Sequence, residues 1–324
     1  MRAAYVTEPG GPEAIGVGEL PTPEPRKTEV RIAVDAVAVN PVDTFIRAGA
    51  VRTELPMPFI VGRDVVGRID AVGAGVRSVV PGQRVWCNSL GHAGRQGPTA
   101  EYAVAPAYRV YPLPDGVDPV TAVAVVHPAA TAWLALVRHA QLRPGEHVLV
   151  QGAAGNVGRA LVELARISGA QVIATASHAD ADDVYARGAH IVIDYADREL
   201  ADRLVDLNPE GYQVCVDCSG HNDMDMATRL LAKRGRVVLL SARGDSVSLP
   251  ARQLYVRDGS LLGFAITNAS VTELTHAAQW INARLEAGGL PPRSVERLPL
   301  DATGDAHRRV EAGVRGRLVI RPRE

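Results

Sequence analysis

Residues 29–39 alternate between apolar and other positions. Val30, Ile32, Val34, Ala36 and Ala38 take every second place, with Arg31 and Asp35 between them, which is the pattern of a strand with one buried face. Shorter runs of the same kind at 2–6, 65–72 and 84–87 are separated by turn signals: Pro21, Pro23 and Pro25, then Pro56 and Pro58, then Pro81-Gly82. Proline removes a backbone donor and biases the preceding residue away from the helical region, so each cluster marks a boundary. Residues 1–110 therefore read as all β.

From residue 125 the period changes. An apolar strand at 147–151 leads into a glycine-rich turn at 152–158, after which Val157, Leu161, Leu164, Ala165 and Ser168 recur at helical spacing, with Arg159, Glu163 and Arg166 on the opposite face. Gly169 stands where a helix stops, and 172–176 reads as the next strand. Further strands are predicted at 190–194, 213–218, 236–241 and 260–266. Strands alternating with helices imply parallel pairing with right-handed crossovers, so the fold class is α/β with a doubly wound parallel sheet in the second part.

Composition narrows the function. At about 150 residues per domain, 324 residues make roughly two domains. An apolar fraction of 47% with 22% charged residues is that of a globular protein. The formal net charge of -1 gives no positive field to hold a polyanion, so no nucleic-acid partner is expected. Lys27 and Lys233 are the only lysines, and the arginine excess reads as compositional background. Three cysteines suit a reducing compartment, and a cytoplasmic location is expected. The longest apolar stretch, 120–136, is interrupted by His127, Pro128 and two threonines, and no signal-peptide pattern opens the chain, so no membrane segment is expected. Cys215 and Cys218 form a Cys-x-x-Cys, but within a strand residues three apart point to opposite faces, which favours packing over redox or metal chemistry.

The turn Gly152-Ala153-Ala154-Gly155-Asn156-Val157-Gly158 is a variant of the dinucleotide fingerprint, with Ala153 where its first glycine would stand. Gly155 lets the backbone approach a pyrophosphate, Gly158 lets helix and strand pack closely, and the helix N-terminus offers N–H donors. The residue that selects the cofactor falls about 20 positions on, at the end of the next strand. Ser177 and His178 stand there with no acid before Asp180, so both could donate to a 2'-phosphate, and NADPH is expected over NADH. Asp180, Asp182 and Asp183 oppose that anion.

Several ordered motifs then resemble the medium-chain dehydrogenase/reductase superfamily and, within it, the zinc-free quinone oxidoreductases that include zeta-crystallin. They are Asn40-Pro41-Val42-Asp43, Ile46-Arg47-Ala48-Gly49, Gly62-Arg63-Asp64-Val65-Val66-Gly67, Pro81-Gly82-Gln83-Arg84-Val85, Thr131-Ala132, the glycine turn and Gly316-Arg317-Leu318-Val319-Ile320. The resemblance implies a β-rich GroES-like catalytic domain from 1–124 and 266–324, a central Rossmann domain from 125–265, bound NADPH and a homodimer. It places Asn40, Asp43 and Thr131 near the nicotinamide and Gly155 to Gly158 at the pyrophosphate. Ser177 and Tyr195 fall near the adenosine phosphate, and Ser241 with Phe264 along the nicotinamide ribose.

Zinc-dependent relatives need a thiolate and a histidine where this chain has Asn40-Pro41 and Arg63. A site assembled from Cys87, His92 and His127 is the remaining option, and no metal is expected. Without a Lewis acid, hydride transfer needs a conjugated acceptor, so a quinone or an enone is the expected substrate. Asn40, Asp43 and Arg63 are the candidate catalytic residues, Asn40 as oxyanion partner. Arg63 could bind an anionic substrate, although pairing with Asp43 or Asp64 is the expected role. Val51 stands where the family often carries a tyrosine, so the proton donor is unassigned. Two alternatives stay open: an enoyl or alkenal double-bond reductase, and a cofactor-binding protein without catalysis.

Overall fold

The computed structural model describes residues 1–242, 244 and 246–324, which divide into two compact units, Met1–His127 with Leu274–Glu324, and Pro128–Glu273. The first unit begins with strands β1 (Arg2–Val6), β2 (Gly16–Glu19) and β3 (Glu29–Ala38), helix α1 (Pro41–Arg47), then β4 (Phe59–Ile60), β5 (Asp64–Val72), β6 (Arg84–Cys87), β7 (Tyr102–Pro106) and β8 (Tyr111–Pro112). Helix α2 (Pro119–Trp133) follows. The second unit carries β9 (His147–Gln151), α3 (Asn156–Ile167), β10 (Gln171–Ala176), α4 (Ala181–Ala186), β11 (Ile191–Asp194), α5 (Leu200–Leu207), β12 (Tyr212–Asp217), α6 (Met224–Arg229), β13 (Leu231–Leu239), α7 (Ala251–Tyr255) and β14 (Ser260–Gly263). The chain ends with α8 (Val271–Glu286), β15 (Val295–Pro299), α9 (Thr303–Glu311) and β16 (Arg317–Arg321).

In the first unit a three-stranded sheet runs β2-β1-β4, and a seven-stranded sheet runs β15-β16-β3-β5-β6-β8 with β7 also on β3. Strand β3 buries Val30, Ile32, Val34 and Ala36 completely, so the alternation in the sequence is the alternation of the pleat. Gly67 is required on β5, because a Cβ there would lie 2.2 Å from the carbonyl oxygen of Ala33. This part is not all β. Asn40-Pro41 starts α1: Pro41 occupies the first helical turn, where its missing N–H costs nothing, and Asp43 reaches back to accept the Asn40 N–H at 2.7 Å.

The second unit is a six-stranded parallel sheet in the order β11-β10-β9-β12-β13-β14. Leu149, Ile173, Cys215 and Val237 from successive strands form its core. Glu163 and Arg159 do not lie on a solvated face of α3. Both are nearly buried, because Arg159 pairs with Asp183 of α4 and Glu163 with Arg187 just beyond it. Cys215 is buried in β12, while Cys218 lies just past its end and is half-buried. Pro128 does not interrupt the apolar stretch: it sits inside α2, which continues as a wider helical turn over Leu134–His139. Pro119–His139 is long and apolar enough to span a membrane, but 83% of its most apolar 18-residue window is buried, as in a core helix.

Candidate functional site

The carboxyl ends of the second unit's strands collect most of the residues singled out for the cofactor. The glycine turn follows β9, Ser177 and His178 follow β10, Tyr195 follows β11, Ser241 follows β13 and Phe264 follows β14. In a doubly wound sheet this edge is where ligands bind, and strand order reverses between β9 and β12. Gly152 turns the chain at φ +70, and its N–H and that of Ala153 are tied to the hydroxyl and carbonyl of Thr175 at 3.3 and 3.0 Å. Ala153 is fully buried, so it packs the turn. Gly158 cannot carry a side chain: its Cβ would lie 2.4 Å from the Gly152 oxygen and 2.7 Å from Ala153 Cα. Gly155 is the N-cap of α3 and no side chain caps that terminus, so the fit to a pyrophosphate rests on the backbone of Asn156 and Val157.

Ser177 donates its hydroxyl to Asp180 at 2.7 Å, and the His178 backbone N–H donates to Asp194 at 3.2 Å. Asp183 is drawn into its pair with Arg159, which leaves Asp180 as the acid beside Ser177. Tyr195 is exposed, while Phe264 is half-buried and stacks on His139 with ring centroids 4.6 Å apart. A further support escaped the sequence reading. Asp217, at the end of β12, accepts from the backbone N–H groups of Ser219 and Asn222, both at 2.6 Å, and Asn222 donates to the Ser241 carbonyl at 2.8 Å. The signal was an aspartate ending an apolar strand just before a serine and a glycine.

The first unit holds a buried cluster of opposite charges. Asn40 donates its amide to Asp64 at 2.8 Å and accepts from Arg317 at 2.7 Å, so both ends of the side chain are committed. The other oxygen of Asp64 faces His127 Nδ1 at 3.2 Å. Burial, then the Asp64 charge, push the Asp43 carboxyl up to about 7, and its Oδ1 has no hydrogen-bond partner. Arg63, 2% exposed, makes no ion pair or hydrogen bond with Asp43 or Asp64, contrary to expectation: its Nε and Nη1 are buried without partners. Burial pulls its guanidinium below the ordinary value despite the two aspartates.

Arg63 also has other guanidinium groups as neighbours. Arg95 donates Nε to the Ser89 carbonyl at 3.1 Å, and Arg109 keeps a buried Nε without a partner. Burial and then the charges of Arg63, Arg95 and Arg109 hold the His92 imidazole below its usual range. Burial also raises the Cys87 thiol, which sits 3.6 Å from the Ser89 hydroxyl. Among the described residues no group of three His, Cys, Asp or Glu side chains could hold a metal ion. Thr131, on α2, is nearly buried.

Residues 26–115 match the alcohol dehydrogenase GroES-like domain family, and residues 156–283 the zinc-binding dehydrogenase family. The quinone oxidoreductase of Rattus norvegicus is 32% identical, covering 99% of this chain and 97% of its own length. Among solved structures, an NAD-dependent alcohol dehydrogenase superposes with a TM-score of 0.89 at 32% identity, over 99% of this chain and all of that one. A mycobacterial protein complexed with NADPH gives 0.86 at 29% identity, again over 99% of this chain and 100% of that one. The paired sheets, the glycine turn at the sheet edge and a likeness running the length of both chains make this protein an oxidoreductase of the medium-chain dehydrogenase/reductase superfamily, of the quinone oxidoreductase type.

Proposed function

We propose that the protein is an NADPH-dependent, zinc-independent quinone reductase, acting as a homodimer in the cytoplasm, with conjugated enones as alternative acceptors. The observation that carries this reading is the strand edge of the second unit. There an uncapped helix N-terminus faces the glycine turn, and a serine rather than an acid follows β10. The mycobacterial neighbour complexed with NADPH and the rat quinone oxidoreductase support it. Zinc does not fit the donors present: Asp64 is committed to Asn40 and His127, and two buried guanidinium groups occupy the same cluster. No step is routed through a metal.

NADPH, when bound, would supply the hydride and with it both electrons. The first-turn N–H groups of α3 would hold its pyrophosphate, and Ser177 and His178 its adenosine phosphate. Arg63 is the catalytic residue we assign: its free N–H groups stabilise the negative charge that develops on the acceptor oxygen. Asn40 and Asp43 act as positioning residues, Asn40 by joining Asp64 to Arg317 and Asp43 by closing the first turn of α1. A solvent proton then forms the O–H bond, so quinone, hydride and proton give hydroquinone in balance.

The test is nicotinamide oxidation by purified, metal-free protein, with phenanthrenequinone and a simple enone assayed in parallel against NADPH and NADH. Quinone turnover with NADPH preferred is expected. Turnover of the enone alone would move the protein to the double-bond reductases, and preference for NADH would overturn the role given to Ser177.

A further inference from the structure

Arg63 is a cation in the wrong place for a merely structural role. A buried guanidinium without hydrogen bonds is costly, and such groups in folded proteins are normally paired. Both aspartates near Arg63 are engaged elsewhere: Asp64 by Asn40 and His127, and Asp43 through one oxygen by the Asn40 backbone. A further unpartnered nitrogen comes from elsewhere in the chain, since Arg109 belongs to the turn after β7 and its Nε is also buried without a partner. Arg95 comes from a third segment, the 88–97 loop, which is fixed to the start of β5 by the Leu90 N–H bond to the Arg63 carbonyl at 3.2 Å. Three stretches of chain thus bring Arg63, Arg95 and Arg109 together with His92. Counting Arg317, four guanidinium groups stand against the two carboxylates of Asp43 and Asp64.

We propose that the acceptor carries a negatively charged oxyacid group and that Arg95 and Arg109 receive it, beside the reacting oxygen that Arg63 meets. The inference rests on the reductase reading and names its substrate class: a quinone or enone bearing a carboxylate, sulfonate or phosphate. Planar guanidinium groups suit such anions because each offers two parallel N–H donors, and desolvated charge-assisted bonds are stronger than neutral ones. Burial and then the repulsion of neighbouring guanidinium groups hold His92 and Arg95 below their ordinary values, and an anion bound among them relieves that repulsion.

The experiment compares naphthoquinone with naphthoquinone sulfonate as acceptors, reading the ratio of their kcat/KM values. The wild-type protein is expected to favour the sulfonate by about tenfold or more, and Arg95→Ala and Arg109→Ala to remove most of that preference. Arg95→Lys should retain part of it, and Arg308→Ala, on an exposed helix, should leave the ratio alone. Equal ratios in wild type and both alanine variants would overturn the proposal. If neither quinone is reduced, the reductase reading fails by itself. The anion site is then judged by calorimetric binding of naphthalenesulfonate and inorganic phosphate, each weakened about tenfold by Arg95→Ala if the proposal holds and unchanged if it does not.

Discussion

The two units build their functional surfaces from different materials. The strand edge of the second unit is made of backbone: a glycine turn, an open helix N-terminus and loops held by Thr175, Asp217 and Asn222. The cluster in the first unit is made of polar side chains, Arg63, Asp64, Arg317 and Asn40, which are buried together out of water. A backbone surface tolerates changes in side-chain chemistry but not in volume, and a charge cluster behaves in the opposite way.

The largest effect should come from the cluster. Replacing Asp64 by Ala leaves Arg63 and Arg317 buried with only Asp43 as counter-charge and strands Asn40, and should cost about 3–5 kcal/mol in urea unfolding. A loss below about 1 kcal/mol would mean that water compensates these charges. Next comes volume at the turn. Gly158→Ala drives a methyl against backbone at 2.4 Å, and should weaken dinucleotide binding by about tenfold or more in calorimetry while costing about 1–3 kcal/mol. Unchanged affinity would show that the turn shifts freely.

A third test separates two titrating groups within the first unit. Asp43 is raised from 3.8 to about 7, so its contribution to stability is complete below 3.8 and is lost as pH rises toward 7. His307 is lowered from 6.5 to about 3 by burial and then by Arg47, so its contribution is complete above 6.5 and is lost as pH falls toward 3. Between those limits they oppose each other. Asp43→Asn should therefore make acidification more destabilising in thermal unfolding, and His307→Leu less so. Parallel pH profiles for the two variants would contradict both assignments.

The smallest effect concerns cofactor choice. Ser177→Asp should shift preference several-fold toward NADH, and Asp180→Asn, which removes the carboxylate charge beside Ser177, several-fold toward NADPH. Identical Michaelis constants for NADPH in wild type and Asp180→Asn would remove Asp180 from the argument.

The same contrast decides what could be read in the sequence. The pleat of β3, the glycine turn and the helix stop at Gly169 are set by neighbours within a few residues, and each stands where the pattern put it. Helix α1 was missed because the turn-rich, alternating stretch 1–110 was read as β throughout, although Asn40 and Asp43 at cap spacing with proline between them spell a helix start. The spacing within α3 placed Arg159 and Glu163 only opposite its apolar face; their burial depends on α4, which supplies Asp183, and on the following turn, which supplies Arg187. The partner of Asn40 lies 277 positions away, at Arg317, and no local rule reaches that far.

That separation also sets a schedule. The second unit is one continuous stretch, Pro128–Glu273, and all six of its strands have left the ribosome while β16 is still unmade. The first unit has eight of its strands early, yet β3 must wait for β16 to pair with it through Ala38 and Val37. Until then Asn40 lacks its arginine and the nascent chain carries an open sheet edge. The first unit, most of whose strands precede the second unit, is thus finished after it, and its charge cluster closes only when β16 arrives.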